Sequence, residues 1–575
     1  MYVLGLNAFH GDSAACILKN GKLIAASEEE RFRRIKHWSG LPSKAIEFCL
    51  SEAGISISEV DYITISRDPR ANFFKKAIHV AKKGMKVTSV LDRISNLRRV
   101  GDLKSQIADQ LGVNPKDIRA QVENIEHHRS HLASSFFVSP FQEAALVSID
   151  GFGDFTSTMT GIGRGDKIEV LNTLCFPHSC GIFYTTFTQF LGFMNYGDEY
   201  KVMGLAPYGQ PKYYEQLQEV VHLNGNGMFK LNTKFFKHDK EGVAMSWSGG
   251  SPEIDAIYSD KLVEKFGTPR KKGEPLTQDH IDLAASVQKM CESILFHCLN
   301  YLHEQTGLDD LCLSGGVAQN SVANGKILKN TPFKNVFVPP AGHDAGTAIG
   351  SALYLYHQKL NNPRKEENNQ AYTGSSFDST QIEATLKKAG VSFRYLSDEE
   401  LFDKVSTALT EAKVVGWFQG KAEFGPRALG NRSILVDPRR DDAKELLNEK
   451  IKKRESFRPF APSILEDYKN EYFNGADYVP YMEKVYEIKE DMRGKIPAVT
   501  HVDGTGRLQT VSDQTNSRYY NLINSFREKT GVPILLNTSF NENEPIVNTP
   551  EDALNCFLRT KMDMLVLENY CVERG

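Results

Sequence analysis

Residues 2–28, YVLGLNAFHGDSAACILKNGKLIAASE, set apolar runs between turn residues and predict three strands. The first run ends in the turn His10-Gly11-Asp12, and Asn20-Gly21 separates the second and third as a two-residue hairpin. Residues 144–171, AALVSIDGFGDFTSTMTGIGRGDKIEVL, repeat the plan. Asp150-Gly151 and Gly153-Asp154 form the turn there, and Gly163 to Asp166 form the hairpin. Two such units, each followed later by helices, are laid out like an actin-like ATPase fold, in which the two turns face a nucleotide cleft. Two unrelated hairpins would give the same local pattern.

Residues 309–328 read as strand, Gly-Gly turn and helix, and residues 335–356 as strand, turn and helix. Gly315 and Gly316 allow close backbone approach to a ligand, and a helix start there favours an anion. The polar, Asn-rich stretch 357–376 has no apolar periodicity and marks a domain boundary. The expected organisation is 1–360, a linker at 361–374, and 375–575. Residues 75–104 form a basic amphipathic run, which reads as a solvated face and not as a nucleic-acid or membrane surface. Residues 443–453, AKELLNEKIKK, carry apolar positions at Ala443, Leu446, Leu447 and Ile451 and predict an amphipathic helix ending near Lys452.

Composition narrows the class. At 575 residues the chain exceeds a single core and calls for several domains. A net charge of −3 speaks against a general nucleic-acid binder. Nine cysteines without a CxxC pair suit a reducing compartment, so a cytoplasmic location is expected. The start MYVLGLN leads straight into a strand and does not read as a signal peptide, and no run of about 18 apolar residues suggests a membrane span.

The candidate chemistry begins in EHHRSHLA, where His127 and His131 stand four apart and share one helix face. Two histidines are an incomplete metal site, and HxxxH alone is more often structural than ligating. Asp150 and Asp344 lie in turns able to border the same cleft, and imidazole with carboxylate suits iron, manganese or zinc.

Several blocks together change the weight of these signals. They are HHRSHLASSF (127–136), YGDEYKVMGLAPYG (196–209), SGGVAQNSVANG (314–325), HDAGTAIGSAL (343–353), EFGPRALGNRSILVDPR (423–439), FRPFAPS (457–463), GTGRLQTV (504–511) and GVPILLNTSFNENEPIV (531–547). In this order they resemble the O-carbamoyltransferases of the nodulation and antibiotic-tailoring type, nearly end to end. The resemblance implies an α/β chain with two domains. The first would be an actin-like ATPase domain, like the actin-fold half of the tRNA threonylcarbamoyladenosine machinery. The second would be an α+β YrdC-like domain binding carbamoyl phosphate and ATP.

The resemblance further implies that a carbamoyl-adenylate forms in the C-terminal domain. The carbamoyl group then passes to a hydroxyl of a small molecule, a sugar or secondary metabolite, at the N-terminal domain. His127, His131, Asp150 and Asp344 would hold iron(II) or another divalent transition metal, and Mg would accompany ATP. Lys201, Gly315, Gly316 and Asn320 would contact nucleotide. Arg427, Lys452, Arg458, Arg507, Asn537 and Ser539 would bind carbamoyl phosphate or ATP, arginine gripping phosphate oxygens bidentately. His10 is the candidate general base, with Asp12 orienting it or binding substrate. The acceptor pocket is left, by elimination, to residues 66–120 and 225–275, and the oligomeric state is open, a homodimer included. An actin-fold sugar kinase, a tRNA-modifying threonylcarbamoyl enzyme and a nucleotide sensor without turnover remain as alternatives. A kinase yields ADP, the carbamoyl route yields AMP and pyrophosphate, and a sensor yields neither.

Overall fold

The computed structural model describes residues 1–83, 102–243, 245–246, 249–365 and 368–574. It divides into two compact units, Met1–Asn369 and Gln370–Gly575. In the basic run 75–104, residues 84–101 lie outside the described residues, as do 244 and 247–248 of the acceptor-pocket segments.

The first unit carries two five-stranded sheets. One contains β1 (Tyr2–Asn7), β2 (Ala14–Lys19), β3 (Lys22–Glu28), β4 (Tyr62–Ile65) and β5 (Gln121–Asn124), in the order β3-β2-β1-β4-β5. The first three strands pair antiparallel, while β4 and β5 run parallel to β1. Asn20 and Gly21 both have positive φ (51° and 86°), the backbone that a tight primed hairpin turn requires.

Two short ribbons follow the next three strands in sequence: β9 (Val221–Leu223) with β10 (Phe229–Leu231), and β11 (Met245–Ser246) with β12 (Glu253–Ile254). The second sheet joins β6 (Glu143–Gly153), β7 (Thr156–Arg164), β8 (Lys167–Cys175), β13 (Asp310–Ser314) and β14 (Asn335–Phe337), in the order β14-β13-β6-β7-β8. Its pairing repeats the first: β6, β7 and β8 are antiparallel, and β13 and β14 continue parallel to β6. The duplicated strand pattern of the sequence is therefore a duplicated sheet.

Helices His127–Phe136 and Thr347–Leu353 pack at very short range. Gly350 makes this possible, because a Cβ there would stand 1.8 Å from the Ser130 carbonyl oxygen. Gly5 of β1 serves the same helix from the other side, its missing Cβ lying 2.2 Å from the Ala348 oxygen.

The stretch expected as a linker is partly built into the first unit. Asn368 is buried, accepts from the Leu23 amide at 2.8 Å and donates to the Gly21 carbonyl at 3.0 Å. Arg364 donates to Phe141 O at 2.6 Å. A polar composition without periodicity here reflects side chains that satisfy a hairpin's backbone.

The second unit is a nine-stranded mixed sheet in the order β15-β23-β22-β16-β17-β21-β18-β20-β19. Its strands are β15 (Arg394–Tyr395), β16 (Val415–Phe418), β17 (Arg432–Val436), β18 (Ala461–Leu465), β19 (Lys484–Glu487), β20 (Thr505–Val511), β21 (Ile534–Ser539), β22 (Met564–Leu567) and β23 (Tyr570–Glu573). Helices Asp398–Thr410 and Asp513–Thr530 bury Leu401, Val405, Leu409, Leu522, Ile523 and Phe526 in one core with this sheet. The helix expected over 443–453 starts as α-helix, Ala443–Leu446, and widens into a π-helical turn, Leu447–Ile451. Such a wide turn shifts the residues that follow it, and Lys452 ends buried instead of on a solvated face.

Candidate functional site

The histidine helix starts where two carboxylates hold its free amides. Glu126, its N-cap, accepts from Arg129 N, and Asp154 Oδ2 accepts from His127 N at 3.0 Å. On this helix the i, i+4 spacing turns both Nε2 atoms to one point, 3.1 Å apart. Gly153 leaves the room, since a Cβ there would come within 1.9 Å of the His127 ring.

Asp150, on β6, is clamped by its Oδ1, which accepts from Gly151 N at 2.7 Å and Gly316 N at 3.1 Å. That leaves Oδ2 facing His127 Nε2 at 3.3 Å and His131 Nε2 at 3.1 Å. Asp344, at the start of the turn before Thr347–Leu353, brings Oδ1 to 3.5 Å and 3.3 Å of the same two nitrogens. One helix, one strand of the second sheet and the turn that leads into helix Thr347–Leu353 thus deliver two nitrogens and two oxygens to one point.

These contacts set the charge states. Burial disfavours the His127 imidazolium, but bonds to Asp150 and Asp344 outweigh it and raise its pKa well above the usual range. His131 moves the same way against the same burial. Burial acts to raise the Asp344 carboxyl, yet His10 and the two histidines hold it well below its ordinary value. His128 points away to Ser148 Oγ at 2.7 Å, and burial followed by its two charged neighbours lowers it strongly.

The four atoms meet the requirements of a metal. Asp344 Oδ1 is buried and faces both imidazoles. Separations of 3.1–3.5 Å match the ~3.3 Å edge of a tetrahedron with ligand bonds of about 2.0–2.1 Å. The N₂O₂ donor set suits a first-row transition ion.

The first turn adds two imidazole–carboxylate pairs, arranged differently from the sequence expectation. His10 Nδ1 lies 2.5 Å from Asp344 Oδ2, so Asp344 orients His10. Asp12 turns away to His37 Nδ1 at 2.7 Å. Burial works against the His37 cation, but Asp12 overrides it and lifts the imidazole to about 9. Phe9, Asp12 and His37 all take positive φ (60°, 58° and 55°), which non-glycine residues hold only under constraint. Sequence reasoning missed His37, which sits 25 residues from its partner.

The expected nucleotide contacts have other engagements. Gly315 (φ 92°) passes against Ile149, and Gly316 holds Asp150. Asn320 caps the short helix Ser321–Asn324 and exchanges hydrogen bonds with Gln288 at 2.9 Å and 3.1 Å. Lys201 pairs with Asp198 at 3.1 Å and lies over the Phe193 ring.

In the second unit the loop before β17 wraps around Glu423, whose Oε1 accepts from the amides of Leu429, Asn431 and Arg432. This fixes the chain next to Arg427. Arg507, on β20, is disfavoured as a cation by burial and then by Arg427, Arg458 and Arg454, which place its pKa well below the guanidinium norm. Arg427, Arg458 and Arg454 are thus near enough to Arg507 to act on its charge. Arg454 escaped the sequence reading although it stands in the same basic run, KKRESFR.

Lys452 behaves otherwise. Its Nζ donates to Ser539 O, and to Asn541 O and Asn541 Oδ1 at 2.8 Å each, so protein oxygens take its three hydrogens. It braces the NTSFN segment. Asn537 donates to Ser463 Oγ and Gln509 Oε1 (3.1 and 3.0 Å), and its own Oδ1 is buried without a partner. Ser539 Oγ donates to Asn541 Oδ1 at 2.9 Å.

Among the described residues, no helix is long and apolar enough to cross a membrane. The chain aligns with an uncharacterized protein of Synechocystis at 42% identity, covering 100% of this chain and 97% of that one. The nodulation protein NolNO of Sinorhizobium fredii is 39% identical over 99% of this chain and 80% of its own length. Among solved structures, component A of (R)-2-hydroxyglutaryl-CoA dehydratase from Acidaminococcus fermentans aligns with 63% of this chain and 99% of its own, at 14% identity and a TM-score of 0.34. The family model for the carbamoyltransferase N-terminus matches residues 2–353, and that for the carbamoyltransferase C-terminus matches residues 406–574. The chain belongs to the carbamoyltransferase family and is an enzyme of that class.

Proposed function

We propose that the chain is an ATP-dependent O-carbamoyltransferase that activates carbamoyl phosphate as carbamoyl-adenylate in its second unit. The carbamoyl group then goes to a hydroxyl of a small molecule, a sugar or secondary metabolite, at the first. The observation that carries this reading is the match of both carbamoyltransferase family models, over residues 2–353 and 406–574, and arginine side chains near Arg507 suit a phosphate. The duplicated sheet order supports an actin-like ATPase fold for the first unit, and a YrdC-like role is proposed for the second.

In the first half-reaction Arg427, Arg458 and Arg507 hold the phosphate groups, and Asn537 and Ser539, braced by Lys452, line the same strand end. Water cleaves carbamoyl phosphate to phosphate and carbamate. A carbamate oxygen then attacks the α-phosphorus of ATP, with Mg bound to the nucleotide, and pyrophosphate leaves. In the second half-reaction the acceptor oxygen attacks the carbamoyl carbon and AMP departs with the bonding electrons. His10 takes the hydroxyl proton at Nε2 while Asp344 Oδ2 holds its Nδ1 side. His127, His131, Asp150 and Asp344 would hold iron(II), or zinc or manganese, which supplies Lewis acidity and charge stabilisation when bound. Asp12, fixed by His37, is available to receive the acceptor.

The test is purified protein with ATP, carbamoyl phosphate and iron(II) or magnesium, followed by mass spectrometry of nucleotides and pyrophosphate. AMP and pyrophosphate that appear only with carbamoyl phosphate are expected. ADP formed regardless of carbamoyl phosphate would replace this reading with a kinase.

A further inference from the structure

The turn that carries His10 and Asp12 is covered by a tyrosine, Tyr196, from the block YGDEYKVMGLAPYG. Its hydroxyl lies over Gly11, where a Cβ would come within 2.5 Å of it. Its ring meets the His37 ring edge-on, the centres 5.3 Å apart at 71°. The next residue, Gly197 (φ 81°), passes His37 as closely, since a Cβ there would stand 2.5 Å from Nε2. Asp198 fixes this stretch, its Oδ2 accepting from Asn195 N and Asn195 Nδ2 at 3.1 Å each. Two glycines, one in each of the facing segments, thus set Tyr196 against the first turn.

His37 is the hub between two groups of opposite hydrogen-bonding character. It holds Asp12 by Oδ1 at 2.7 Å, and Asp12 Oδ2 makes no hydrogen bond among the described residues. Tyr196 is half-buried, and its hydroxyl makes none among the described residues either. Burial, and then the carboxylates of Asp12, Asp344 and Asp150, raise the phenol well above its usual pKa, so it stays a neutral donor. A carboxylate oxygen that only accepts and a phenol that donates complement one alcohol group, which does both at once. The hydroxyl that loses its proton to His10 is a different one. The pair therefore suits a second hydroxyl, next to the reacting one as Gly11 is next to His10.

We propose that Tyr196 and Asp12 form an acceptor subsite of the first unit and that the acceptor is a vicinal diol, a sugar-type polyol. The neighbouring hydroxyl donates to Asp12 Oδ2 and accepts from Tyr196 Oη, while the reacting hydroxyl faces His10. This rests on His10 being the base of carbamoyl transfer in that unit. His37 is then a positioning residue, acting through Asp12 and Tyr196.

The test is ligand-observed NMR titration of the full chain with cis-1,2-cyclohexanediol and, separately, with cyclohexanol, which lacks the second hydroxyl. The wild type is expected to bind the diol at least about tenfold more tightly, the yield of two added hydrogen bonds. Tyr196→Phe keeps the ring against His37 and removes only the donor. It should weaken diol binding about three- to tenfold and cyclohexanol binding less than about twofold. Asp12→Asn should likewise weaken the diol selectively, and it serves if the phenylalanine variant misfolds by circular dichroism. A wild type without preference for the diol overturns the proposal, as does one that binds neither probe. An unchanged diol affinity in both variants, or an equal loss for the two probes, overturns it too. AMP and pyrophosphate formed only with carbamoyl phosphate, but with no diol preference, would sink the diol subsite and leave the carbamoyl route standing. ADP formed without carbamoyl phosphate, alongside the expected Tyr196 result, would do the reverse.

Discussion

At the scale of single residues, the metal set and the first turn make separate demands. Outer partners of metal ligands typically account for 10- to 100-fold in affinity, so loss of a direct ligand costs at least about 100-fold. His131→Ala is expected to lose bound transition metal by that factor, measured by competition with a chromophoric chelator, while pyrophosphate binding stays unchanged. The His37–Asp12 pair yields a pH signature. The His37 pKa rises from 6.5 to about 9 on folding, so its stabilisation is complete below pH 6.5 and vanishes as pH climbs through 9. Asp12 is lowered, after burial is overcome by His37, so its share is present above pH 3.8 and is lost on acidification. The side chains are 30% and 14% exposed, and solvent screening cuts the effect. The stability gap between wild type and His37→Asn should therefore shrink by about 1–2 kcal/mol from pH 6.5 to 9.5 in denaturant titrations. A gap that stays flat would mean the pair does not form in solution.

At the scale of elements, the contact of helices His127–Phe136 and Thr347–Leu353 is what brings Asp344 to the histidines. Gly350→Val puts carbon where the Ser130 carbonyl stands, so the helices must part. Overpacking of this kind costs about 1–3 kcal/mol, and thermal unfolding should register it. Metal affinity should fall with it, although no ligand has changed. A helix that tolerates valine with full metal affinity would show that the close approach is not needed. Element order was legible in sequence, because period-two strands broken by Asn-Gly and Asp-Gly turns are local signals. The π-helical turn at Leu447–Ile451 was not, since the same apolar spacing fits an α-helix and the choice depends on what Lys452 reaches for.

At the scale of the whole molecule, the core of the second unit closes upon itself. Its largest apolar cluster draws only on residues between Ile382 and Val572. Residues 370–575 expressed alone should unfold in one cooperative transition and keep pyrophosphate affinity within about twofold of the full chain. A fragment that is unfolded by circular dichroism would show that the first unit is required for its stability.

The sequence by itself determined the strand duplication, the family, and the four residues of the candidate metal site. These follow from short-range periodicity and from the order of the motif blocks. What only the tertiary structure decided is which groups face which: His10 with Asp344, Asp12 with His37, and Gly316 with Asp150. Those pairings join residues far apart in the chain. They depend on where sheets and helices end in space, and no local pattern encodes that distance.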